Sequence, residues 1–166
     1  MAASSASLSR RSRRLPPRLR PRLPPLSLSV QYATSAINLP TRSQVRHWVR
    51  ATCSMAATIA IRFVDEAEAR SLNLSYRGKD YATNVLSFPY TEGEFLTGDL
   101  VLCAAVVEAE AQQQGKEISA HYAHLVIHGL LHLQGLDHER SATDAKIMEA
   151  REILILAKLG ISDPYQ

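Results

Sequence analysis

His128-Gly129-Leu130-Leu131-His132-Leu133-Gln134-Gly135-Leu136-Asp137-His138 is the stretch from which the rest of the chain is read. It holds three of the six histidines, and His121 and His124 lie just upstream. If 128–133 is helical, His128 and His132 project from one face, one turn apart. Gly135 can take the left-handed conformation that ends a helix and reverses the chain. That turn brings His138 back toward the other two. Three imidazoles converging from a helix and its following turn suit a catalytic zinc, which keeps a fourth position open for water.

The spacing H-x3-H-x2-G-x2-H overlays the metzincin zinc signature at all positions but one. Metzincins place Glu directly after the first His, as the base that activates water. Here that residue is Gly129, and a peptidase without its general base loses a factor of about 10² to 10⁴ in rate. The pattern therefore keeps the metal and drops the proteolytic machinery. By helix rise His121 lies roughly 10 Å from His128, too far to share the ion. His124, one turn away, is a competing ligand. A structural zinc is the alternative, but such sites are usually four-coordinate and contain cysteine, and no cysteine is placed to complete this one. Asp137 reads as a partner for a ligand histidine, as an N-cap or as an ordinary turn residue.

The charge is divided along the chain. Met1 to Val64 carries eleven arginines and no acid, whereas Asp65 to Gln166 carries eight Lys/Arg against sixteen Asp/Glu, a formal −8. The basic balance thus comes from the N-terminus, and a globally basic domain that coats nucleic acid is excluded. Any RNA or DNA contact must use a local patch or the tail. Two cysteines, Cys53 and Cys103, give neither a disulfide framework nor zinc-ribbon spacing and fit a reducing cytoplasm. Apolar runs fall far short of the ~20 residues of a membrane span. The 166 residues, 46% hydrophobic, suffice for one core and one domain.

Residues 1–25 interleave seven arginines with Ser and five prolines and lack an apolar segment, so they are no secretory signal. They read as a disordered basic tail, a start codon that is not used, or a targeting segment, the last disfavoured because proline breaks an amphipathic helix. The domain is placed at 26–166. Leu26 to Val30 alternates like a half-buried strand, and 58–64 is the strongest strand candidate. Helices are expected at 41–51, N-capped by Thr41, and at 66–75, capped by Asp65. A polar loop, Tyr76 to Asn84, leads into a short strand over 85–88 stopped by Pro89. A hairpin-like connection over 90–97 and a strand over 99–102 follow. Helices come next at 104–114, at 119–134 capped by Ser119, and at about 141–158. The expected fold class is α+β: a small four-stranded mixed sheet packed against several helices, with a zincin-like histidine helix over the sheet.

Zinc held by three neutral imidazoles keeps its full charge and can activate water or polarise a phosphoryl oxygen. Phosphodiester cleavage also wants a second cation to meet charge growing on the phosphate. Arg77, in the polar loop beside Gly78 and Lys79, is the best candidate, because guanidinium matches phosphate bidentately.

Three ordered blocks carry a resemblance: 128–138 above; Leu72-Asn73-Leu74-Ser75-Tyr76-Arg77-Gly78-Lys79-Asp80 followed by Thr83-Asn84-Val85-Leu86-Ser87-Phe88-Pro89; and Gly98-Asp99-Leu100-Val101. From Leu26 onward the chain resembles the YbeY family of rRNA-maturation endoribonucleases. The resemblance implies a single-strand-specific, metal-dependent endoribonuclease acting in 16S rRNA 3′-end maturation and 70S ribosome quality control. It implies one zinc ion on His128, His132 and His138, Arg77 as a functionally important arginine, and Asp99 as support for the cleft. It also implies the 16S rRNA precursor, the small ribosomal subunit and ribosome-associated proteins as partners, a cytoplasmic location, and neither a membrane nor a DNA partner. Ala82 stands where proline is usual, Gln134 where leucine is common, and Leu136 where an aromatic is common; none of these removes a ligand. The general base is open among zinc-activated water, Asp137 and the 2′-hydroxyl of the RNA. The rivals are a zinc-dependent peptidase or amide hydrolase and a non-catalytic ribosome-assembly factor with structural zinc.

Overall fold

Alternating and β-branched runs build the sheet of the computed structural model, which describes residues 22–90 and 94–166. The elements are β1 (Leu26–Ala33), α1 (Arg42–Thr52), β2 (Ala57–Val64), α2 (Glu66–Arg77), β3 (Val85–Pro89), β4 (Leu96–Cys103), α3 (Ala104–Gln113), α4 (Ile118–Leu133) and α5 (Ala142–Lys158). The sheet order is β1-β2-β4-β3. β1, β2 and β4 are parallel, and β3 runs antiparallel to β4 at the edge. The chain is α+β, with a four-stranded mixed sheet and five helices among the described residues. No helix among them is long and apolar enough to cross a membrane. Most of the Arg/Pro/Ser-rich tail, residues 1–21, lies outside the described residues, as do 91–93 in the connection before β4.

Strand alternation sorts the core onto two faces. Ile59, Ile61, Phe63, Leu100 and Leu102 point toward α1, α4 and α5 and form the larger cluster with Trp48, Tyr122 and Leu130. Val64, Leu86, Val101 and Cys103 point the other way, toward Ala69 and Leu72 of α2. α4 is sandwiched between the sheet and neighbouring helices, which explains why ten of its sixteen residues are buried. Two glycines let it settle onto the strands. A Cβ on Gly98 would lie 2.7 Å from Leu133 Cδ2 and 2.9 Å from the Phe88 carbonyl, and one on Gly129 would lie 2.8 Å from Leu100 Cδ2.

The local signals hold where their chemistry is made. Thr41 caps α1 in a capping box with Gln44, Asp65 caps α2, and Ser141 caps α5. Four expectations are corrected. α4 begins a residue early because Glu117, not Ser119, accepts the Ala120 N–H at 2.9 Å. α2 runs two residues further, so Tyr76 and Arg77 form its last turn rather than a loop, and Gly78 at φ 68° ends it. β4 starts at Leu96, shortening the hairpin connection. Pro89 does not stop β3 but is its last residue, paired with Gly98 on an edge where proline is tolerated.

Candidate metal centre

The end of α4 is built by a Schellman turn. Gly135, at φ 91°, donates its N–H to the His132 carbonyl at 2.9 Å, and Leu136 donates to Leu131 at 3.1 Å. Gln134 Nε2 donates to the Thr52 carbonyl at 3.3 Å, tying this turn to the end of α1. Asp137 then accepts the Glu139 N–H at 2.9 Å. That bond, more than Arg140 or the histidines, draws the Asp137 carboxyl below its usual range. The double turn returns His138 to the helix.

The three histidines meet. Ring centroids lie 4.7 Å apart for His128–His132, 5.2 Å for His128–His138 and 5.1 Å for His132–His138. His128 Nε2 and His132 Nε2 are 3.1 Å apart. At that distance the two nitrogens either share a hydrogen bond, one ring donating, or face a common cation. Nitrogens bound to one tetrahedral ion at about 2.0–2.1 Å each sit about 3.3 Å apart. The donor set therefore fits a metal ion. Burial, then His128 and His138, push the His132 pKa down, with the Asp137 carboxylate and a hydrogen bond to the Leu136 backbone opposing them.

α5 supplies what faces the triad from behind. Glu152 is fully buried, its Oε1 2.5 Å from His128 Nδ1 and its Oε2 3.2 Å from His124 Nε2. Tyr165 donates its hydroxyl to Oε2 as well. Burial works to raise the Glu152 pKa, but the three donors outweigh it and hold the carboxyl near 2. His124, Glu152 and the far side of His128 thus form a second group with metal-ligand chemistry. His121 is outside both: its Nε2 lies 2.8 Å from Glu110, a carboxylate that also accepts from Asn84 at the start of β3.

The triad lines a cleft of about 800 Å³ that Arg77 and Tyr76 of α2 and Phe88 of β3 also line. Arg77 is the one Lys or Arg side chain lining it among the described residues, and its Nη2 is 3.9 Å from Glu139 Oε1. The polar segment after Arg77 is tied down. Arg70 grips Asp80 through two bonds of 2.7 and 2.9 Å, and Asn73 Nδ2 donates to the Tyr81 carbonyl at 2.8 Å. Asp99, paired with Phe88 across the sheet, does not line the cleft and accepts the Tyr90 hydroxyl at 2.9 Å. Gly129, where metzincins carry their base, faces Leu100 and Ser87 of the sheet.

The family model for endoribonuclease YbeY matches residues 29–160. The chain belongs to the YbeY endoribonuclease family. It is 52% identical over 163 residues to endoribonuclease YbeY of Nitrosospira multiformis, covering 89% of this chain and 86% of that one. Against endoribonuclease YbeY of Burkholderia lata the figures are 53% over 152 residues, 87% and 88%. The solution structure of TM1509 from Thermotoga maritima shares the fold, with a TM-score of 0.51 at 22% identity over 84% of this chain and 99% of that one. Within this YbeY chain the metal-side residues missed from sequence are Glu152 and Tyr165. A signal for Glu152 existed: it occupies an apolar position of α5, four residues after Met148 and three before Ile155, where a lone acid needs a partner inside. Nothing local marked Tyr165.

Proposed function

We propose that this YbeY chain is a zinc-dependent endoribonuclease that cleaves single-stranded RNA, acting on the 16S rRNA precursor at its 3′ end and in late quality control of the 70S ribosome. One observation carries the reading: three imidazoles whose ligand nitrogens lie within 4.8 Å of one another line the same cleft as Arg77. Zinc bound by His128, His132 and His138 would supply a Lewis acid for a phosphoryl oxygen and bring the pKa of water to about 7. Arg77 holds the scissile phosphate with its guanidinium fork and meets the charge that develops there. Its 40% side-chain exposure and long contact to Glu139 leave the fork free to turn to a substrate.

The rim suits unpaired nucleotides. Tyr76 is 68% exposed, stands edge-on to Phe88 at 4.9 Å, and immediately precedes Arg77. An aromatic edge beside a phosphate clamp offers a face for a splayed base, a contact that a stacked duplex withholds. The histidine helix over the sheet is zincin-like, but position 129 is packed against Leu100, so no side-chain base projects from it. The acidic domain attracts RNA weakly, which favours presentation of the substrate by the small ribosomal subunit and its associated proteins in the cytoplasm. Residues 26–166 act as one catalytic domain behind the Arg-rich tail.

Metal analysis paired with cleavage of a defined single-stranded rRNA precursor tests the reading. One zinc per chain and cleavage that disappears on chelation and returns with Zn²⁺ are expected. Undiminished cleavage by zinc-free protein sinks the zinc chemistry. A casein assay run beside it is expected to show no hydrolysis.

A further inference from the structure

We propose that Glu152 is the positioning residue of the metal centre: its buried carboxylate holds His128 as the Nδ1–H tautomer and thereby aims the Nε2 lone pair at the ion. The inference rests on reading His128, His132 and His138 as the ligand set. A carboxylate only accepts hydrogen bonds, so the nitrogen 2.5 Å from Oε1 must carry the proton. The remaining ring nitrogen of His128 is then unprotonated, and it is the one that faces His132 at 3.1 Å. Without that anchor the imidazole is free to rotate or to protonate at Nε2, and either change removes the lone pair from the site.

The anchor is itself fixed from three sides. Glu152 comes from α5, a separate helix, and its other oxygen receives His124 Nε2 at 3.2 Å and the Tyr165 hydroxyl. The Tyr165 ring also stands edge-on to His124 at 5.5 Å. Lys116 Nζ donates to the neighbouring Pro164 carbonyl at 2.6 Å, holding that segment against the body. A carboxylate with no exposure is tolerated because these donors replace its water. The same residues could instead hold a cation, since His124, His128 and Glu152 offer three ligand atoms. The spacing argues against it. A gap of 2.5 Å between Oε1 and Nδ1 is that of a hydrogen bond, whereas two atoms bound to one tetrahedral zinc are about 3.3 Å apart. A proton fits between them and a metal does not.

The test uses the full chain, Zn²⁺ as the probe and two variants, Glu152→Gln and Glu152→Ala. Competition with a chromophoric chelator is expected to show zinc affinity 10- to 100-fold below wild type in Glu152→Ala. Glu152→Gln keeps an acceptor oxygen and is expected to fall between. Thermal unfolding of the zinc-free variants separates positioning from packing, because a purely structural role lowers the transition but leaves affinity for zinc unchanged in the folded protein. One measurement needs no variant: nitrogen-15 NMR of zinc-free wild type should show His128 protonated at Nδ1 and bare at Nε2. Wild-type affinity in both folded variants, or an Nε2–H signature in wild type, overturns the proposal. So does a wild-type stoichiometry of two zinc ions falling to one in Glu152→Ala, which would make this group a second metal site. If wild type binds no zinc, the ligand reading and this one fall together. If His132→Ala loses zinc while both Glu152 variants keep it, only this one falls.

Discussion

The two walls of the cleft are made differently. On the metal side, His128 and His132 stand on a buried helix, backed by a carboxylate with three donors, and His138 is returned by a Schellman turn. On the α2 side, Arg77 and Tyr76 occupy the last turn of the helix, both exposed, with one contact of 3.9 Å for the guanidinium. On the proposed reading the histidines coordinate a metal, which needs fixed distances, and packing and hydrogen bonds hold them. A phosphate on a moving strand can be met by a side chain that adapts, so the rim needs only a tethered backbone. The Arg70–Asp80 pair and the Asn73 bond to Tyr81 supply that tether. Pre-organisation is concentrated where the chemistry tolerates least error.

The sharpest way to break this contrast is to compare His132→Ala with Arg77→Ala. His132→Ala is expected to lose zinc and to reduce cleavage of single-stranded RNA to the level of a mock preparation. Arg77→Ala should lose a factor of about 10² to 10³ in cleavage rate while zinc content stays at that of wild type. Loss of zinc in Arg77→Ala would show the walls to be one unit. Tyr76→Ala sharpens the rim's role: binding of a single-stranded oligonucleotide should weaken about 5-fold, from roughly 1 kcal/mol of lost stacking, and duplex binding should not change. Equal losses for both forms would make Tyr76 a packing residue only.

Gly129→Ala loads the metal wall from the sheet side. Its Cβ would meet Leu100 Cδ2 at 2.8 Å and Ser87 Oγ at 3.2 Å, an overpacking that costs about 1–3 kcal/mol and should appear as a lower thermal midpoint. An unchanged midpoint would mean that α4 has slack. The smallest effect concerns Cys53, behind the turn that carries Gln134. Burial, eased slightly by Arg50, pushes its thiol up to about 11. The raised value makes this contribution complete below the ordinary thiol range near 9, and it fades as pH climbs toward 11. Titrating unfolding free energy against pH in wild type and Cys53→Ala should give a steeper decline for wild type in that window. Rapid alkylation of native Cys53 at neutral pH would contradict it.

The histidine helix, its glycine exit and the four strands themselves are legible because each is written in local spacing, whereas the order β1-β2-β4-β3 is set by pairings between distant segments. Caps at Thr41 and Asp65 are readable for the same reason of local spacing. The Arg77 turn was misplaced because Tyr76 through Asn84 is polar throughout, and polarity does not tell a solvated helix end from a loop. Gly78 was the mark of that end. Glu152 and Tyr165 were missed because their roles arise only when α5 and the residues after it fold back on α4. Gln134, where the family resemblance leads one to expect leucine, makes a hydrogen bond to Thr52 that leucine cannot.

β3 borders the cleft with its free edge, and its antiparallel pairing decides what that edge can offer. Asn84 accepts from Cys103, and Tyr90 donates to Thr97. By alternation, Leu86 and Phe88 also face β4, while Val85, Ser87 and Pro89 face outward. The Val85 N–H is already taken by Asn84 Oδ1 at 2.7 Å, and Pro89 has none. Ser87 is left as the only outward main-chain donor of the strand. An extended polypeptide laid along this border would find its carbonyls but one donor where a full ladder offers three, so strand-by-strand aggregation and capture of a protein substrate are discouraged by the same two residues.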